Sequence, residues 1–520
     1  MGTAIVVKNT KPRTNTDSIS SQEKDVSSEE APALIGARQL SLFTGIVVVL
    51  AVAVWLSWNA NIWVDSYEAV RGFLRGWLGR VAAGTVIFGF AWLIVTALIY
   101  RSIPPCEDNE LPEVTVIVPA YNEGRQVLET LRSIAQSDYP PEKLQIVAVD
   151  DGSRDDTWKW MIRASTEMAP RIELIRLAKN SGKRHALYQG FQQARGEVLI
   201  TIDSDSQVEK ATLRHMVSPF VKDPRVGGVA GNVRVLNTHE GFIPKILDVS
   251  FTYSFDFVRA GQSVVKTVMC TPGALSAYRR SVVQDYLPRW LNQKFMGRSA
   301  NIGEDRALTN IILREGYHVL FQREAVVYTN VPVKYKGLCR MLLRWGRSNI
   351  RETIVMAGFI FTKFRKESAT GARINFLLSA FRLSIGEIFK LLGLTAIILY
   401  PLPMAVNMAA SATTASLLPA LVHRRRRGGY SFLWSLPYSF FWVFTLSWVS
   451  LYALITPHKN GWLTRGLHEV QTEADVHVSR PRTALSPESV AALIQPNTAS
   501  VAVPVQVAAS AAQRGRTWRH

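Results

Sequence analysis

The sequence predicts an α/β fold in which a parallel sheet is combined with membrane helices. Three short apolar runs, which begin at Val114, Leu144 and Val198, are rich in valine and isoleucine and are separated by helical stretches. Runs of this kind are typical of buried parallel strands. Two longer apolar runs, residues 41–58 and 81–100, are long enough to cross a bilayer.

Acidic residues follow the end of each predicted strand. Glu123 follows the first strand, Asp150 and Asp151 the second, and Asp203 and Asp205 the third. Ligands of parallel sheets bind in the crevice beyond the carboxyl ends of the strands, so we expect these carboxylates to converge there. Clustered carboxylates repel one another unless a cation or a proton-transfer task accounts for them. The pattern therefore predicts a metal-dependent enzyme.

Composition favours a membrane protein with a cytoplasmic catalytic part. The chain has 520 residues, 48% of them hydrophobic, and a formal net charge of +19. Basic residues beside membrane spans explain this charge, and the run Arg424–Arg427 directly follows an apolar segment. Anionic substrates such as sugar nucleotides are a second explanation, whereas no recognition motif supports nucleic acid. Cys106, Cys270 and Cys339 are widely spaced, which argues against a zinc site and a disulfide framework.

Changes in composition along the chain predict its division into segments. In order, these are a disordered cytosolic N-terminus (1–38), two transmembrane helices (39–100), a linker (101–110), a soluble α/β domain (111–350), interfacial amphipathic helices (351–390), transmembrane and re-entrant segments forming a channel (384–456), a short motif (457–466) and a disordered tail (467–520). Within 391–422, two tight crossings that turn near Pro401 and Pro403 and one span with a partial helix are both compatible with the sequence. The segment 431–456 either spans or re-enters.

The acidic turns differ in how specifically they indicate a site. Asp150-Asp151-Gly-Ser is compatible with a binding turn or with an Asx-type turn that caps the next helix. Asp203 and Asp205 can hold a hard divalent cation whose shell is completed by diphosphate oxygens, the alternative being a surface turn. Lys183 can neutralise a phosphate, although a lysine considered alone is more often a solvated cation.

Two motifs later in the chain carry further chemistry. Glu304 and Asp305 stand well apart from the predicted metal pair, as suits a general base, although a helix N-cap is the alternative. Arg344 can bind a diphosphate and the Trp345 indole can stack on a sugar ring. An interfacial amphipathic helix is the alternative for this pair, and it is compatible with the first interpretation.

Together, these motifs resemble those of the family 2 processive glycosyltransferases, a group that includes hyaluronan, chitin, nodulation chitooligosaccharide and bacterial cellulose synthases. The resemblance covers roughly residues 41–465. It is most specific in the segments 271–280, 292–297, 302–310 and 344–352, which look most like hyaluronan and nodulation synthases. The segment Asn460–Arg465, within 457–466, resembles the gating-loop motif of the family.

The resemblance implies a GT-A type, Rossmann-like catalytic domain inserted between transmembrane and interfacial helices. Asp203 and Asp205 would bind Mg²⁺ or Mn²⁺ together with the diphosphate. The residues implied to bind the UDP-sugar are Tyr121, Glu123, Asp150, Asp151, Lys183 and Asp203, with Trp462 and Arg465 closing over the nucleotide.

The resemblance also implies the residues that act on the acceptor. Asp305 would be the catalytic base beside Glu304, and Arg344 and Trp345 would lie where donor, acceptor and channel meet. The family motif is Gln-x-x-Arg-Trp, but Met341 stands at the Gln position. A thioether cannot replace the donors of an amide, so the effect on processivity is left open.

The resulting prediction is a multi-pass plasma-membrane enzyme with a cytosolic catalytic domain. It would polymerise UDP-GlcNAc, alone or with UDP-glucuronate, into a β-linked polysaccharide such as hyaluronan or chitin and extrude it. Its partners would be the UDP-sugar, the growing polysaccharide and membrane lipid, with no nucleic acid and an unknown oligomeric state. The alternatives are a non-processive membrane glycosyltransferase acting on a lipid acceptor and a non-catalytic scaffold of a secretion complex.

Overall fold

The computed structural model describes residues 5–7, 72, 75–168, 172–399 and 401–459. Several predictions fall outside the described residues: the first membrane helix within 41–58, the gating residues Trp462 and Arg465, and the tail 467–520. Residues Ile5–Val7 lie within the segment expected to be disordered, but they form a strand at the edge of the sheet.

A nine-stranded mixed sheet forms the soluble domain, and a separate two-stranded hairpin lies beside it. The strands are β1 (Ile5–Val7), β2 (Val114–Ala120), β3 (Leu144–Asp150), β4 (Ile172–Arg176), β5 (Val198–Ile202), β6 (Ser206–Val208), β7 (Val226–Val235), β8 (Leu275–Arg279), β9 (Lys294–Phe295), β10 (Arg298–Ser299) and β11 (His318–Thr329). The order in the large sheet is β1-β4-β3-β2-β5-β8-β7-β11-β6. The three predicted strands are confirmed as β2, β3 and β5, and every residue in them is buried.

The chain reverses its direction of travel across the sheet at β2. It runs from β2 outward through β3 to β4, then returns to place β5 on the other side of β2, and these four strands are parallel. Such a reversal opens a crevice at the carboxyl ends of the strands on either side of it. Residues directly after β2, β3 and β5 therefore meet at one edge, as the sequence predicted.

Helices cover both faces of the sheet and continue into the membrane part. They are α1 (Trp77–Ile99), α2 (Gln126–Ala135), α3 (Thr157–Glu167), α4 (Lys183–Gln193), α5 (Thr212–Lys222), α6 (Phe242–Phe251), α7 (Arg259–Val264), α8 (Arg280–Val283), α9 (Leu287–Leu291), α10 (Glu304–Arg314), α11 (Tyr335–Ala357), α12 (Thr370–Leu399), α13 (Pro401–Arg427), α14 (Ser435–Phe441) and α15 (Ser447–Ile455). Two π-helical segments, Thr252–Val258 and Trp442–Leu446, join α6 to α7 and α14 to α15.

Gly303 determines how α10 begins against α11. Its backbone is left-handed, with φ of 73°, and a Cβ added there would lie 1.8 Å from Ser348 Oγ of α11. Only glycine combines this conformation with so close an approach. The contact places Glu304 and Asp305, the first residues of α10, beside the helix that carries Arg344.

Three segments of the described chain are long and apolar enough to cross a membrane: Gly79–Ile99, Pro401–Arg427 and Ser431–Ile455. The predicted change from interfacial to transmembrane structure between 384 and 390 does not coincide with a helix boundary. This change falls inside α12, which continues unbroken from Thr370 to Leu399 because no proline occurs between Thr370 and Pro401. The chain does change helix at Pro401, where α13 begins.

Candidate active site

A cleft of about 250 Å³ opens at the carboxyl ends of β2, β3 and β5. The predicted site residues that line it are Tyr121, Asp151, Lys183, Asp203, Asp205 and Arg344, and Met341 lines it as well. The lining does not include five other predicted site residues: Glu123, Asp150, Glu304, Asp305 and Trp345. Six of the eleven predicted site residues that the structure describes are therefore brought together in one cleft.

Asp151 organises the loop that leads into α4. Its two carboxylate oxygens accept hydrogen bonds of 2.8 Å from the backbone amides of Ser181 and Gly182. Gly152 makes this packing possible, since a Cβ there would lie 2.6 Å from the carbonyl carbon of Lys179. Burial raises the pKa of Asp151 to about 7, although the two amides act in the opposite direction.

Asp150, which was predicted to help bind uridine, is fully buried and is not part of the cleft lining. Its buried carboxylate lies 3.2 Å from Arg176 Nε and accepts a hydrogen bond of 2.9 Å from the amide of Ser153. Consecutive residues at a strand end point to opposite faces of the sheet. This position favours the Asx-type turn that was the alternative interpretation.

Glu123 links the loop after β2 to the loop after β5. Its Oε1 atom accepts a hydrogen bond of 3.0 Å from Ser204 Oγ, and its amide donates one of 2.8 Å to Thr157 Oγ1. Ser204 stands between the two predicted metal ligands, Asp203 and Asp205. Glu123 is therefore placed to hold that loop rather than to line the cleft.

Lys183 is a largely buried cation between two carboxylates, with 12% of its side chain exposed. Its Nζ forms an ion pair with Asp203 Oδ1 and lies 3.2 Å from Glu304 Oε1. Burial lowers the pKa of Lys183, but the two carboxylates raise it further, so the net shift is upward. A Cβ at Gly273 would lie 2.7 Å from this Nζ, which explains why the neighbouring turn contains glycine.

Two backbone amides hold the carboxylate of Asp305 at the start of α10. Its Oδ2 accepts a hydrogen bond of 3.1 Å from the amide of Gly273, and its Oδ1 one of 2.7 Å from the amide of Arg306. Burial, and then the charge of Glu304, raises the pKa of Asp305 to about 6. For Glu304 itself burial also acts upward, but Lys183 and Arg344 lower its pKa on balance. One carboxylate thus stays ionised while its neighbour titrates near neutrality, a separation suited to acid–base chemistry.

Asp203 and Asp205 have the chemistry expected for a cation shared with substrate. Asp205 Oδ1 accepts hydrogen bonds of 3.3 Å from Thr329 and Ser206, which orient it at the cleft. No group of three or more His, Cys, Asp or Glu side chains that could hold a metal occurs among the described residues. Mg²⁺ is commonly bound by one or two carboxylates plus substrate phosphates, and this pair of oxygen donors fits that pattern.

The helix α11 presents consecutive residues to different surroundings. Met341 and Arg344, one turn apart, line the cleft. Trp345 is 37% exposed and packs against Phe251 and Phe255, with ring centroids 6.0 and 6.1 Å away. Adjacent helical positions are about 100° apart around the axis, so Arg344 and Trp345 do not face the same space.

Sequence reasoning missed several groups that shape this site. Backbone amides of Ser181, Gly182 and Gly273 bind Asp151 and Asp305, but an amide leaves no residue-type signal. Asn330 and Pro332 line the cleft without any motif that marks them. The Thr-Pro-Gly turn that includes Gly273 carries no acid, base or metal-binding side chain, so only the family resemblance over 271–280 marks it.

Comparison with known proteins places this site in a family. The model for "Glycosyltransferase like family 2" matches residues 112–348. An N-acetylglucosaminyltransferase of Rhizobium meliloti (strain 1021) is 33% identical over 364 residues, which are 69% of this chain and 83% of the relative. The chain belongs to glycosyltransferase family 2. As a family 2 member it is a hexosyltransferase with a GT-A type α/β domain, and its apolar helices indicate membrane association.

One further relative and one solved structure are also similar to this chain. A hyaluronan synthase of Streptococcus pyogenes is 29% identical over 358 residues, which are 68% of this chain and 83% of the relative. The mannosyltransferase PcManGT from Pyrobaculum calidifontis, solved with GDP-Man and Mn²⁺, is 21% identical with a TM-score of 0.49, over 73% of this chain and 98% of that structure. So distant a structural likeness says nothing about substrate or metal.

Proposed function

We propose that this family 2 enzyme is an inverting, processive transferase that links N-acetylglucosamine from UDP-GlcNAc into a β-linked polymer and extrudes it. The observation that carries the proposal is the position of Asp305, a carboxyl group with its pKa raised to about 6 beside the ion-paired Lys183 and Glu304. The names of the relatives, an N-acetylglucosaminyltransferase and a hyaluronan synthase, support the choice of donor.

The cleft supplies separate groups for the two ends of the donor. Tyr121 and Asp151 line the part of the cleft after β2 and β3 and would hold the uridine. Lys183 and Arg344 would bind the diphosphate, with Lys183 turning from Asp203 toward the phosphate oxygens. A divalent cation, Mg²⁺ or Mn²⁺, held by Asp203 and Asp205 would neutralise charge on the leaving diphosphate.

Asp305 would perform the proton transfer. Its carboxylate takes the proton of an acceptor hydroxyl, and that oxygen attacks the anomeric carbon from the side opposite to UDP. The carbon–oxygen bond to UDP breaks and the configuration inverts. Lys183 and Arg344 stabilise the negative charge that develops on the departing diphosphate. The amide of Gly273, 3.1 Å from Asp305 Oδ2, keeps the base aimed during this step.

The arginine run at the end of α13 supports a cytosolic position for that end. Arg427 Nη2 lies 2.8 Å from Asp248 Oδ1, and Arg426 Nε lies 3.5 Å from Asp256 Oδ2. Both carboxylates belong to the segment that follows β7 in the soluble domain, so the run lies on the same side of the membrane as the catalytic site.

The next segment, Ser431–Ile455, contacts the soluble domain near its middle and its end. Tyr335 donates a hydrogen bond of 2.9 Å to the carbonyl oxygen of Thr445, and Arg347 Nε donates one of 3.1 Å to Thr456 Oγ1. These contacts favour a segment that lies along the domain over one that leaves it across the bilayer. We therefore propose the paired crossings within 384–422, formed by the apolar end of α12 and by α13, although α12 as a whole is not among the three segments that are apolar enough to span. A cysteine placed at Arg425 that is labelled only from outside sealed cells would contradict this topology.

Product analysis tests the function most directly. The full-length protein, purified in lipid nanodiscs with Mg²⁺ or Mn²⁺, is given UDP-GlcNAc, UDP-glucuronate or both, each radiolabelled in turn. A long polymer from UDP-GlcNAc alone is expected. A polymer that requires both donors would identify hyaluronan synthesis, and no release of UDP with any sugar nucleotide would refute the proposal.

The second candidate function is a single sugar transfer to a lipid acceptor. The observation that favours it is Met341, which lines the cleft where the family motif has an acceptor-binding glutamine. The same experiment separates the two functions, because one labelled sugar on an extractable lipid replaces the polymer.

A further inference from the structure

Behind the cleft, a buried hydrogen-bond network joins α4, α10 and α11, the helices that carry Lys183, Asp305 and Arg344. We infer that Glu352, near the end of α11, is a positioning residue that holds α11 in register with α4 and α10 and so sets Arg344 relative to Lys183 and Asp305. The inference rests on the proposed transfer reaction and adds to it a residue that touches neither substrate nor cofactor.

The carboxylate of Glu352 is completely buried and has partners on two other elements. Its Oε2 atom accepts a hydrogen bond of 2.9 Å from Asn310 Nδ2 of α10, the helix of Asp305. Its Oε1 atom accepts one of 3.0 Å from Gln293 Nε2, in the loop after α9. Asn310 Nδ2 also donates to the backbone carbonyl of Glu352 at 2.9 Å. The end of α11 is therefore tied to α10 by a side chain and a backbone contact.

The network continues from Gln293 to the start of α4. Gln293 Oε1 accepts a hydrogen bond of 3.0 Å from Arg184 Nη1, and the same Nη1 donates one of 2.7 Å to the carbonyl oxygen of Trp290. Trp290 Nε1 in turn donates one of 2.9 Å to the carbonyl oxygen of Glu304. Arg184 follows Lys183 directly, so one residue faces the cleft while its neighbour faces the network behind it.

The buried arginines in and beside this network indicate that it has a role beyond packing the helices together. Arg184, Arg306 and Arg351 are buried, with 2%, 6% and 0% of their surfaces exposed. Arg351 Nε lies 3.4 Å from Glu352 Oε1, and Arg306 Nη2 donates a hydrogen bond of 2.9 Å to Thr353. Apolar side chains join packed helices without the desolvation cost of buried charges. A charged network fits a need for one defined geometry, since its hydrogen bonds are directional.

Arg344 and Glu352 are eight positions apart on α11, about 12 Å along the helix axis. A small shift of α11 against α10 would change the distance between Arg344 and Asp305 without altering either side chain. Such a shift should lower the rate of sugar transfer more than the affinity for the donor, because the acceptor must lie close to both the base and the anomeric carbon.

The test uses full-length protein with Glu352→Gln, with Gln293→Met as the second variant and with the exposed Glu142→Gln as the control. Donor KM, transfer kcat and the ratio of UDP released to sugar incorporated are measured for each. Glu352→Gln is expected to lower transfer kcat by about 10- to 100-fold, with donor KM changed less than about threefold. UDP release per incorporated sugar should rise, because bound donor then reacts with water.

A purely structural role predicts a different result. Transfer and hydrolysis would then fall together in proportion to the folded fraction, and that outcome overturns the inference, as does an unchanged kcat. Gln293→Met decides the question if Glu352→Gln does not fold, because it adds no charge while breaking the links to Arg184 and Glu352. A normal ratio in Gln293→Met overturns the inference. Inactivity of the unsubstituted enzyme with every donor would instead refute the proposed function and the inference together.

Discussion

The ammonium nitrogen of Lys183 lies 3.2 Å from Oε1 of Glu304. The two residues come from the first turns of α4 and α10, so this ion pair joins the helix after the Ser181–Gly182 loop to the helix that carries Asp305. It keeps Glu304 ionised, and the charge of Glu304 in turn contributes to the raised pKa of Asp305.

Lys183→Gln should lower transfer kcat by about 100- to 1,000-fold, because the developing charge on UDP loses a preorganised donor. Steady-state rates of UDP release and inhibition by UDP measure the effect. The exposed Lys159→Gln on α3 is the control and should keep normal rates. A Lys183→Gln enzyme with normal kcat would show that Lys183 is not part of leaving-group stabilisation.

Asp305→Asn should leave UDP binding nearly unchanged and lower transfer by at least about 100-fold, since an amide cannot accept the acceptor proton. Calorimetry with UDP and incorporation of labelled sugar give the two readouts. Asp285→Asn, at an exposed position, controls for the chemical change. Substantial turnover by Asp305→Asn would exclude Asp305 as the base.

The pH dependence of transfer should report the same group. Burial, followed by the charge of Glu304, raises the pKa of Asp305 to about 6, so kcat should decline as pH falls through that value. Glu304→Gln should move this decline to lower pH, because the repelling charge is gone. A pH–rate profile of Glu304→Gln that matches the unsubstituted enzyme would contradict the coupling.

The raised pKa of Asp305 also has a consequence for stability. The folded protein binds this proton more tightly than the unfolded chain, whose group titrates near the ordinary value of 3.8. The free energy of unfolding therefore gains most from this bound proton below about pH 4, and that gain is lost as pH rises through about 6. The thermal unfolding temperature of Asp305→Asn should rise relative to that of the unsubstituted enzyme as pH increases across this interval. A difference in unfolding temperature that stays constant with pH would argue against the raised pKa of Asp305.

Gly273→Ala should fold normally and yet transfer poorly. The new Cβ would lie 2.7 Å from Lys183 Nζ, and the flexible lysine end can move away only by leaving Asp203 or Glu304. We expect unchanged thermal unfolding and about a 10-fold or larger loss of kcat. Gly84→Ala has nothing within 4 Å of its new Cβ and serves as the control.

Met341→Gln tests the departure from the family motif. The amide would place donors in the cleft that the thioether lacks, so acceptor binding should tighten and products should lengthen. Product size is compared by gel filtration with that of Met296→Gln, whose side chain is 73% exposed in the native protein. Identical product lengths would show that Met341 does not limit processivity.

The sequence predicted the sheet edge well because the controlling signals are local. Fully apolar runs mark buried parallel strands, and Asp151, Asp203 and Asp205 follow them directly, so topology alone brings these residues to one cleft. For Asp150 the sequence left a binding turn and an Asx-type turn open, because neighbouring positions in one turn face different sides. The link from Arg184 to Glu352 was invisible, since it depends on packing between residues far apart in the chain.

Asp256 and Asp248, which pair with Arg426 and Arg427, reduce the net positive charge that the end of α13 would present to a membrane surface. Asp256 and Asp248 pair with those two guanidinium groups, and Arg424, Arg425 and Arg426 are all exposed. At a membrane surface, anionic lipid headgroups would meet only part of the charge of this run, and the formal charge of +19 would overstate the attraction there. Added salt, which weakens exposed charge pairs most, should loosen this contact with lipid before it loosens the attachment of α13 to the enzyme.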